Sequence, residues 1–312
     1  MIKQQKVLTI LGAGAWGTTL ATLATRNQHQ VNLWSRRSDT SLEEIIQGAD
    51  FILSAISVKG VREIVGRLQR VGLPQETIII TATKGLDPTT TKTPSQIWQA
   101  AFRDRPVVVL SGPNLSKEIQ QNLPAATVVA SESMTAAIAV QEILSSEIFR
   151  VYANSDPLGT ELGGVLKNIM AIAAGVCDGL KLGTNAKAAL LTRALPEMIR
   201  VGTTLGARRE TFFGLSGLGD LLATCDSPLS RNYQVGYGLA QGKSLEEVLA
   251  NIEGTAEGVN TSKVLIQWAQ QQQISVPISL QVAHLLQGKI TPQQAVQVLM
   301  ARDLKQEFGD VF

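Results

Sequence analysis

The stretch VLTILGAGAWG, Val7 to Gly17, decides the fold. A run suited to a buried strand leads straight into three glycines spaced G-x-G-x-x-G. Gly12 would allow the tight turn after the strand. Gly14 would let the backbone approach a pyrophosphate, and Gly17 would let the following helix pack closely on the strand. A helix starting there offers free N–H groups and a favourable dipole to phosphates. A merely structural glycine turn is the alternative. The clear strand before it, the clear helix Trp16–Arg26 after it and the alternating pattern beyond favour a nucleotide site. The opening MIKQQK followed by an apolar run resembles a signal peptide in outline. That run is short and enters the glycine turn directly, so a first strand is the better reading.

Outward from this turn the first half alternates. Val7–Leu11, Val31–Trp34, Phe51–Ala55, Thr77–Ala82, Val107–Leu110 and Ala126–Ala130 are short runs rich in β-branched and aliphatic residues, with a further strand expected around Ile148–Tyr152. Helix-like stretches such as Val61–Arg70 lie between them. Continuous apolar strands alternating with helices predict a mostly parallel sheet covered on both faces, an α/β Rossmann-type domain. From Asp156 the pattern turns helical: Glu161–Leu180, Ala186–Thr203, Gln234–Gln241, Leu245–Ala250, Val259–Gln272, Ile278–Leu286 and Ala295–Leu299. Pro277 and Pro292 stand where they could start helices. At 312 residues two domains are expected. The turn-like NSDP at Asn154–Pro157 divides a dinucleotide-binding domain, 1–155, from an all-α substrate and catalytic domain, 156–312.

A hydrophobic share of 44% suffices for ordinary cores, and a net charge of +2 argues against a general nucleic-acid or membrane-surface binder. The two cysteines, Cys177 and Cys225, lack metal or redox spacing, which fits a reducing cytoplasm without disulfides. No apolar run reads as long enough to cross a bilayer. No HExxH or Cys/His cluster suggests a metal. The apolar helices of the second half could form a homodimer face or leave a monomer.

The candidate chemistry is concentrated in a few places. After the second strand, an NAD-selective site usually carries an acidic residue for the ribose hydroxyl. This chain has LWSRRS, with Arg36 and Arg37 instead. Two guanidinium groups could bind a 2′-phosphate and favour NADPH over NADH, or they could be solvated loop charges. The segment ELGGVLKNIMAIAAGVCDGL is almost wholly apolar yet holds Lys167 and Asn168. Such a lysine either snorkels to water or sits in a partly dry site suited to proton transfer. Of the two histidines, His29 precedes the second strand, where a turn role fits, and His284 lies on an amphipathic helix as a surface or core residue. Lys84 in ATKG, and Gly112, Asn114 and Lys117 in SGPNLSKE, fall just past carboxyl ends of strands, where open α/β sheets bind ligands. Asp220 in GLGD could cap a helix or serve the site. Ser230, Arg231 and Asn232 could hold a phosphate, or Arg231 could be a surface charge.

GAGAWGT, ATKG, SGPNLSKE with LPAAT, ELGGVLKNIMAIAAG, GLSGLGDLLATC, SRN and TAEGVNT stand in one order along nearly the whole chain. In this the sequence resembles the bacterial-type NAD(P)-dependent glycerol-3-phosphate dehydrogenases. The resemblance implies interconversion of sn-glycerol 3-phosphate and dihydroxyacetone phosphate, supplying phospholipid backbones in the cytoplasm. It implies that Lys167 is the proton donor and acceptor and that Asp220 orients it. It implies that Lys84 touches both cofactor and substrate and that Gly112 and Asn114 line the substrate. Ser230, Arg231 and Asn232 would receive the phosphate, with Arg231 also near the cofactor. Ala15, Trp16, Arg36, Arg37, Ser116 and Glu257 would line the dinucleotide, Ser116 and Glu257 toward its nicotinamide end. The chain departs from the family pattern in three ways. Ser38–Gly48 is a shortened connection, Ala55-Ile56-Ser57 lacks a proline, and Ser116 replaces the usual alanine. Two rivals are a related dehydrogenase of hydroxy or keto acids and a non-catalytic dinucleotide sensor.

Overall fold

The computed structural model of the chain describes residues 5–304 and 306–307. Met1–Gln4, part of the opening weighed above as a leader, lie outside them. The chain divides into two compact units, Met1–Glu161 and Leu162–Phe312.

In the first unit the described residues form β1 (Val7–Leu11), β2 (Gln30–Trp34), β3 (Phe51–Ser54), β4 (Ile78–Thr81), β5 (Val107–Ser111), β6 (Ala125–Ala130) and β7 (Phe149–Asn154). They lie in the order β2-β1-β3-β4-β5-β6-β7. Each neighbouring pair is parallel except β5 and β6, which run antiparallel with Leu110 opposite Val129. The expected strands are all present within a residue or two of their predicted limits. The chain leaves β1 toward β2 on one side and reaches β3 on the other, so the glycine turn after β1 stands at the topological switch point.

Among the described residues, six helices cover this sheet: α1 (Ala15–Arg26), α2 (Leu42–Ile45), α3 (Val58–Val71), α4 (Pro94–Ala101), α5 (Ser116–Gln120) and α6 (Met134–Leu144). Leu8, Ile10, Leu53, Ile80 and Leu110 pack with Leu20 and Leu23 of α1 and Val140 of α6. Leu11, Ile52 and Ile79 point the other way, toward Val61, Ile64 and Leu68 of α3 and Trp98 of α4. Both residue parities of the central strands β1, β3, β4 and β5 are therefore buried, which is why these strands read as unbroken apolar runs, while β7 at the edge alternates buried and exposed residues. The shortened Ser38–Gly48 connection is itself folded. Ser41 and Glu44 form a capping box around α2, and Leu42 and Ile46 are fully buried.

The second unit is helical: α7 (Pro157–Gly179), which begins in the first unit, then α8 (Thr184–Thr204), α9 (Asp220–Cys225), α10 (Arg231–Ala240), α11 (Leu245–Ala250), α12 (Glu257–Gln271), α13 (Pro277–Leu286) and α14 (Pro292–Met300). Pro157, Pro277 and Pro292 each open a helix, where the missing N–H costs nothing. The Gly159 N–H donates to Asp156 Oδ1 at 2.9 Å, so the NSDP turn caps α7.

One expectation needs correction. By length and composition alone α7 could cross a bilayer, with 23 residues and a mean hydropathy of 1.2. The sequence reading took no apolar run to be long enough for that. The structure gives the reason for its apolarity: 89% of that stretch is buried inside the protein. A helix that is apolar all round is a core helix when other helices surround it.

Glycines let α10 approach α7 backbone to backbone. A Cβ on Gly236 would lie 1.8 Å from the Ile172 carbonyl oxygen, and one on Gly175 would lie 2.1 Å from the Tyr233 carbonyl oxygen. Gly236→Ala should therefore lower stability by about 2–3 kcal/mol through overpacking. Gly66→Ala on α3, where a Cβ meets nothing within 4 Å, should raise it by about 0.5–1 kcal/mol. Thermal unfolding midpoints of the two variants check both signs.

Candidate active site

In the first unit the candidate residues gather along the carboxyl ends of the parallel strands. Gly12 follows β1 with φ of +118°, and a Cβ there would lie 2.5 Å from the Ala55 carbonyl oxygen. A Cβ on Gly17 would fall 1.8 Å from the Gly12 carbonyl oxygen. The protein's own packing thus demands glycine at both positions. Gly14 is different. Its φ of −79° suits any residue, and a Cβ there would meet no described protein atom within 4 Å. Gly14 also precedes α1 without any side-chain cap on the helix N-terminus. A glycine that the fold does not require, beside uncapped helical N–H groups, fits close approach of a pyrophosphate. Ala15 is exposed there, and Trp16 is half-buried against the sheet core.

Arg36 and Arg37 are exposed in the turn after β2. The Ser35 N–H donates to Ser38 Oγ at 2.9 Å and the Arg37 N–H to Ser35 Oγ at 3.2 Å, which shapes that turn. After β4, Lys84 Nζ donates to the Gly112 carbonyl oxygen at 3.3 Å. Gly112 follows β5 with φ of +148°, and a Cβ there would sit 3.0 Å from Thr127 Oγ1. Asn114 Nδ2 donates to the same Thr127 oxygen at 3.0 Å. Its Oδ1 is buried and has no hydrogen-bond partner among the described residues. An amide oxygen left unmatched this way is costly unless a donor from outside the chain reaches it. Ser116 is half-buried at the start of α5, and Lys117 is exposed. His29 takes the structural role expected, its Nδ1 accepting the Lys6 N–H at 3.3 Å.

In the second unit Lys167 does not snorkel. It is 7% exposed. Its Nζ donates to Asp220 Oδ1 at 2.9 Å and to Thr224 Oγ1, while the Thr224 hydroxyl donates back to Asp220 Oδ1 at 3.2 Å. Asp220 does not cap a helix. It opens α9 immediately after the π turn Leu215–Gly219, a wide turn of the kind found at functional sites. A buried ammonium and carboxylate survive together only with such close pairing and further hydrogen bonds. Thr224 escaped the sequence reading, although its spacing of four from Asp220 places both on one face of α9.

The SRN cluster separates into three tasks. Ser230 Oγ accepts the Tyr233 N–H at 3.3 Å and caps α10. Asn232 Nδ2 donates to Asn168 Oδ1 at 3.0 Å, and its Oδ1 accepts the Gly258 N–H at 2.9 Å, tying α10 to α7 and α12. Arg231 is exposed at the first position of α10, its guanidinium against Gly254, where a Cβ would come within 2.9 Å of Cζ. A cation at a helix N-terminus opposes the macrodipole. The same place suits an anion held by guanidinium and helix N–H groups together. Glu257 is half-buried at the start of α12.

Sequence reading also missed Glu161 as a buried acid. Its carboxylate accepts the Ser95 N–H at 2.9 Å and the Ser95 hydroxyl, at the first turn of α4. Burial pushes its pKa up to about 7, against the lowering effect of hydrogen bonds from Ser95 and Thr93.

A glycine turn at the switch point of a parallel sheet, with a helical unit that buries a lysine–carboxylate pair, defines the class of dinucleotide-dependent dehydrogenases. The comparisons narrow that class. Residues 7–41 and 37–137 match the NAD-dependent glycerol-3-phosphate dehydrogenase N-terminus, and residues 156–297 match its C-terminus. Over 306 residues the chain is 63% identical to glycerol-3-phosphate dehydrogenase [NAD(P)+] of Nostoc sp., covering 98% of this chain and all of that protein. It is 63% identical to the Synechocystis sp. protein of the same name, over 97% of this chain and 96% of that one. The crystal structure of glycerol-3-phosphate dehydrogenase from Coxiella burnetii superposes with a TM-score of 0.91 at 35% identity, over 96% of this chain and 99% of that one. The chain belongs to the NAD-dependent glycerol-3-phosphate dehydrogenase family.

The buried acid gives a pH prediction. Glu161 has a folded-state pKa of about 7 against 4.5 for a free carboxyl, so the folded protein binds the extra proton. Its contribution, about 3 kcal/mol, is full below the lower value and is lost as pH rises through the upper one. Between pH 5 and 8 the wild type should lose stability that Glu161→Gln keeps. Equal slopes in thermal unfolding of the two proteins would remove Glu161 from this account.

Proposed function

We propose that the chain is a cytoplasmic NAD(P)-dependent glycerol-3-phosphate dehydrogenase, interconverting sn-glycerol 3-phosphate and dihydroxyacetone phosphate and so supplying glycerol phosphate for phospholipid synthesis. The observation that carries this reading is Lys167, buried on α7 with its ammonium 2.9 Å from Asp220. Relatives that carry this activity in their names match the chain over nearly its full length. Both cysteines are free and buried, in keeping with a reducing compartment.

In this reading residues 1–155 hold the dinucleotide and 156–312 supply the substrate and catalytic groups. Gly12, Gly14 and Gly17, with Ala15 and Trp16, cradle the pyrophosphate, and Arg36 and Arg37 take the adenosine end. Ser116, Glu257 and Arg231 serve the nicotinamide end. The nicotinamide supplies hydride chemistry when bound. Ser230, Arg231 and Asn232, at the N-terminus of α10, receive the substrate phosphate. Lys84, Gly112 and Asn114 line the substrate, and Lys84 adds positive charge near an anionic ligand. In the reducing direction Lys167 Nζ gives a proton to the developing alkoxide and stabilises it electrostatically. Asp220 and Thr224 keep the ammonium aimed. In the oxidising direction Lys167 takes that proton back.

Two outcomes follow. Lys167→Ala should lower dihydroxyacetone phosphate turnover by about 100- to 10,000-fold while NADPH binding persists. Near-normal turnover in that variant would overturn the role of Lys167. No wild-type turnover, in protein that still binds NADPH, would point to another carbonyl substrate or to a sensor. Secondly, NADPH should be preferred to NADH, and Arg36→Ala with Arg37→Ala should cut that preference about tenfold. Equal kcat/KM for the two cofactors in the wild type would leave the arginines as loop charges.

A further inference from the structure

Lys187 lies in the first turn of α8 and has no role among the residues assigned above. Its Nζ is 2.7 Å from Asp178 Oδ2 near the end of α7 and 3.0 Å from Asp226 Oδ1 just past α9. The Tyr233 hydroxyl donates to the same Asp178 oxygen at 2.8 Å, and Lys187 Nζ stands 5.7 Å from the centre of the Tyr233 ring. Both charges sit at the unfavourable end of their helices, an acid near a C-terminus and a lysine near an N-terminus. Helix stability gives no reason for either. Their shared partners do. Asp226 begins the turn between α9 and α10, and Tyr233 lies two residues beyond Arg231.

We propose that Lys187, through Asp178, is a positioning residue that clamps both ends of the Asp226–Tyr233 segment and thereby fixes Arg231 for the substrate phosphate. This rests on the phosphate role given to Arg231 under the proposed function. Asn232, at one end of that segment, is bonded to Asn168 of α7 and Gly258 of α12, whereas among the described residues the bonds of Ser227–Ser230 are local. The Ser230 N–H donates to the Ser227 carbonyl oxygen at 3.0 Å, and Gln234 Nε2 donates to the Pro228 carbonyl oxygen at 2.7 Å. Such bonds shape the turn without anchoring it to another helix. The clamp adds an anchor at the Asp226 end, to α8 and through Asp178 to α7, beside the Asn232 bond and the glycine contacts that hold α10 to α7 at the other end. Hydrogen bonds to the two carboxylates raise the Lys187 pKa despite burial, and Tyr233 is pushed up to about 12, so both keep their protons through the neutral range.

The test compares steady-state kinetics of Lys187→Met, Lys187→Arg and Arg231→Ala with dihydroxyacetone phosphate and with unphosphorylated dihydroxyacetone. Lys187→Met should raise KM for the phosphorylated substrate about fivefold, the size expected for an ionic tie whose Asp226 partner is largely exposed. Its kcat should stay within twofold, and kcat/KM for dihydroxyacetone should not change. Lys187→Arg should restore most of the KM. Hydrogen exchange should quicken at 226–233 in Lys187→Met. A fall in kcat and thermal stability with unchanged KM would make Lys187 merely structural and overturn the clamp. If Arg231→Ala raises that KM while Lys187→Met does not, the clamp fails and the phosphate reading stands. If Arg231→Ala leaves it unchanged, the phosphate reading fails and the clamp falls with it.

Discussion

A charge pair buried on an apolar helix is the constraint around which the second unit is arranged. Lys167 is largely buried in the middle of α7, so its ammonium must find its counter-charge inside the protein. Asp220 provides it and Thr224 adds a hydrogen bond, and removing one partner from such a pair costs about 3–5 kcal/mol. Meeting that requirement dictates local backbone. The π turn at Leu215–Gly219 delivers Asp220 at the start of α9, and Thr224 follows one turn later. A Cβ on Gly163 of α7 would lie 2.6 Å from the Ser216 carbonyl oxygen, so the helix meets that turn at backbone distance. The glycines of α7 are thus packing devices that bring the carboxylate to the lysine.

The first unit shows how a glycine's purpose can be sorted. Gly12 and Gly17 are fixed by contacts with Ala55 and with each other, and any dinucleotide fold of this geometry would need them empty or filled. Gly14 answers to nothing in the described protein, and neither does the buried Asn114 Oδ1. Features that the fold leaves unexplained are the ones that point outward to ligands. Arg231, set against the dipole of α10, belongs to the same group.

Much of this was legible in the sequence, because it rests on local rules. The strands showed themselves as apolar runs since both faces of the sheet are covered, and the glycine spacing placed the switch point. Pro277 and Pro292 marked helix starts correctly. The residues that escaped depend on contacts between distant segments. Thr127 reaches Gly112 and Asn114 only because β6 turns antiparallel beside β5, a reversal that no local pattern announces. Glu161 reads as one more polar residue at the edge of an apolar helix. Its burial depends on the first turn of α4, 66 residues earlier. Asn232 reads as a phosphate ligand by its neighbours, and its bonds to Asn168 and Gly258, which also depend on distant segments, leave one amide N–H over.

That last point bears on how the phosphate-binding segment works. With Ser230 capping α10 and Asn232 bridging two other helices, the side chain best placed to follow an incoming anion is Arg231. Its neighbours convert a flexible arginine into a positioned one by immobilising the backbone on either side of it. Gly254, with φ of +90° and no side chain, leaves the space in which the guanidinium rests. Order in the backbone and freedom in one side chain are complementary. The entropy of presenting the charge is largely met on folding, and little remains to be lost when the phosphate arrives.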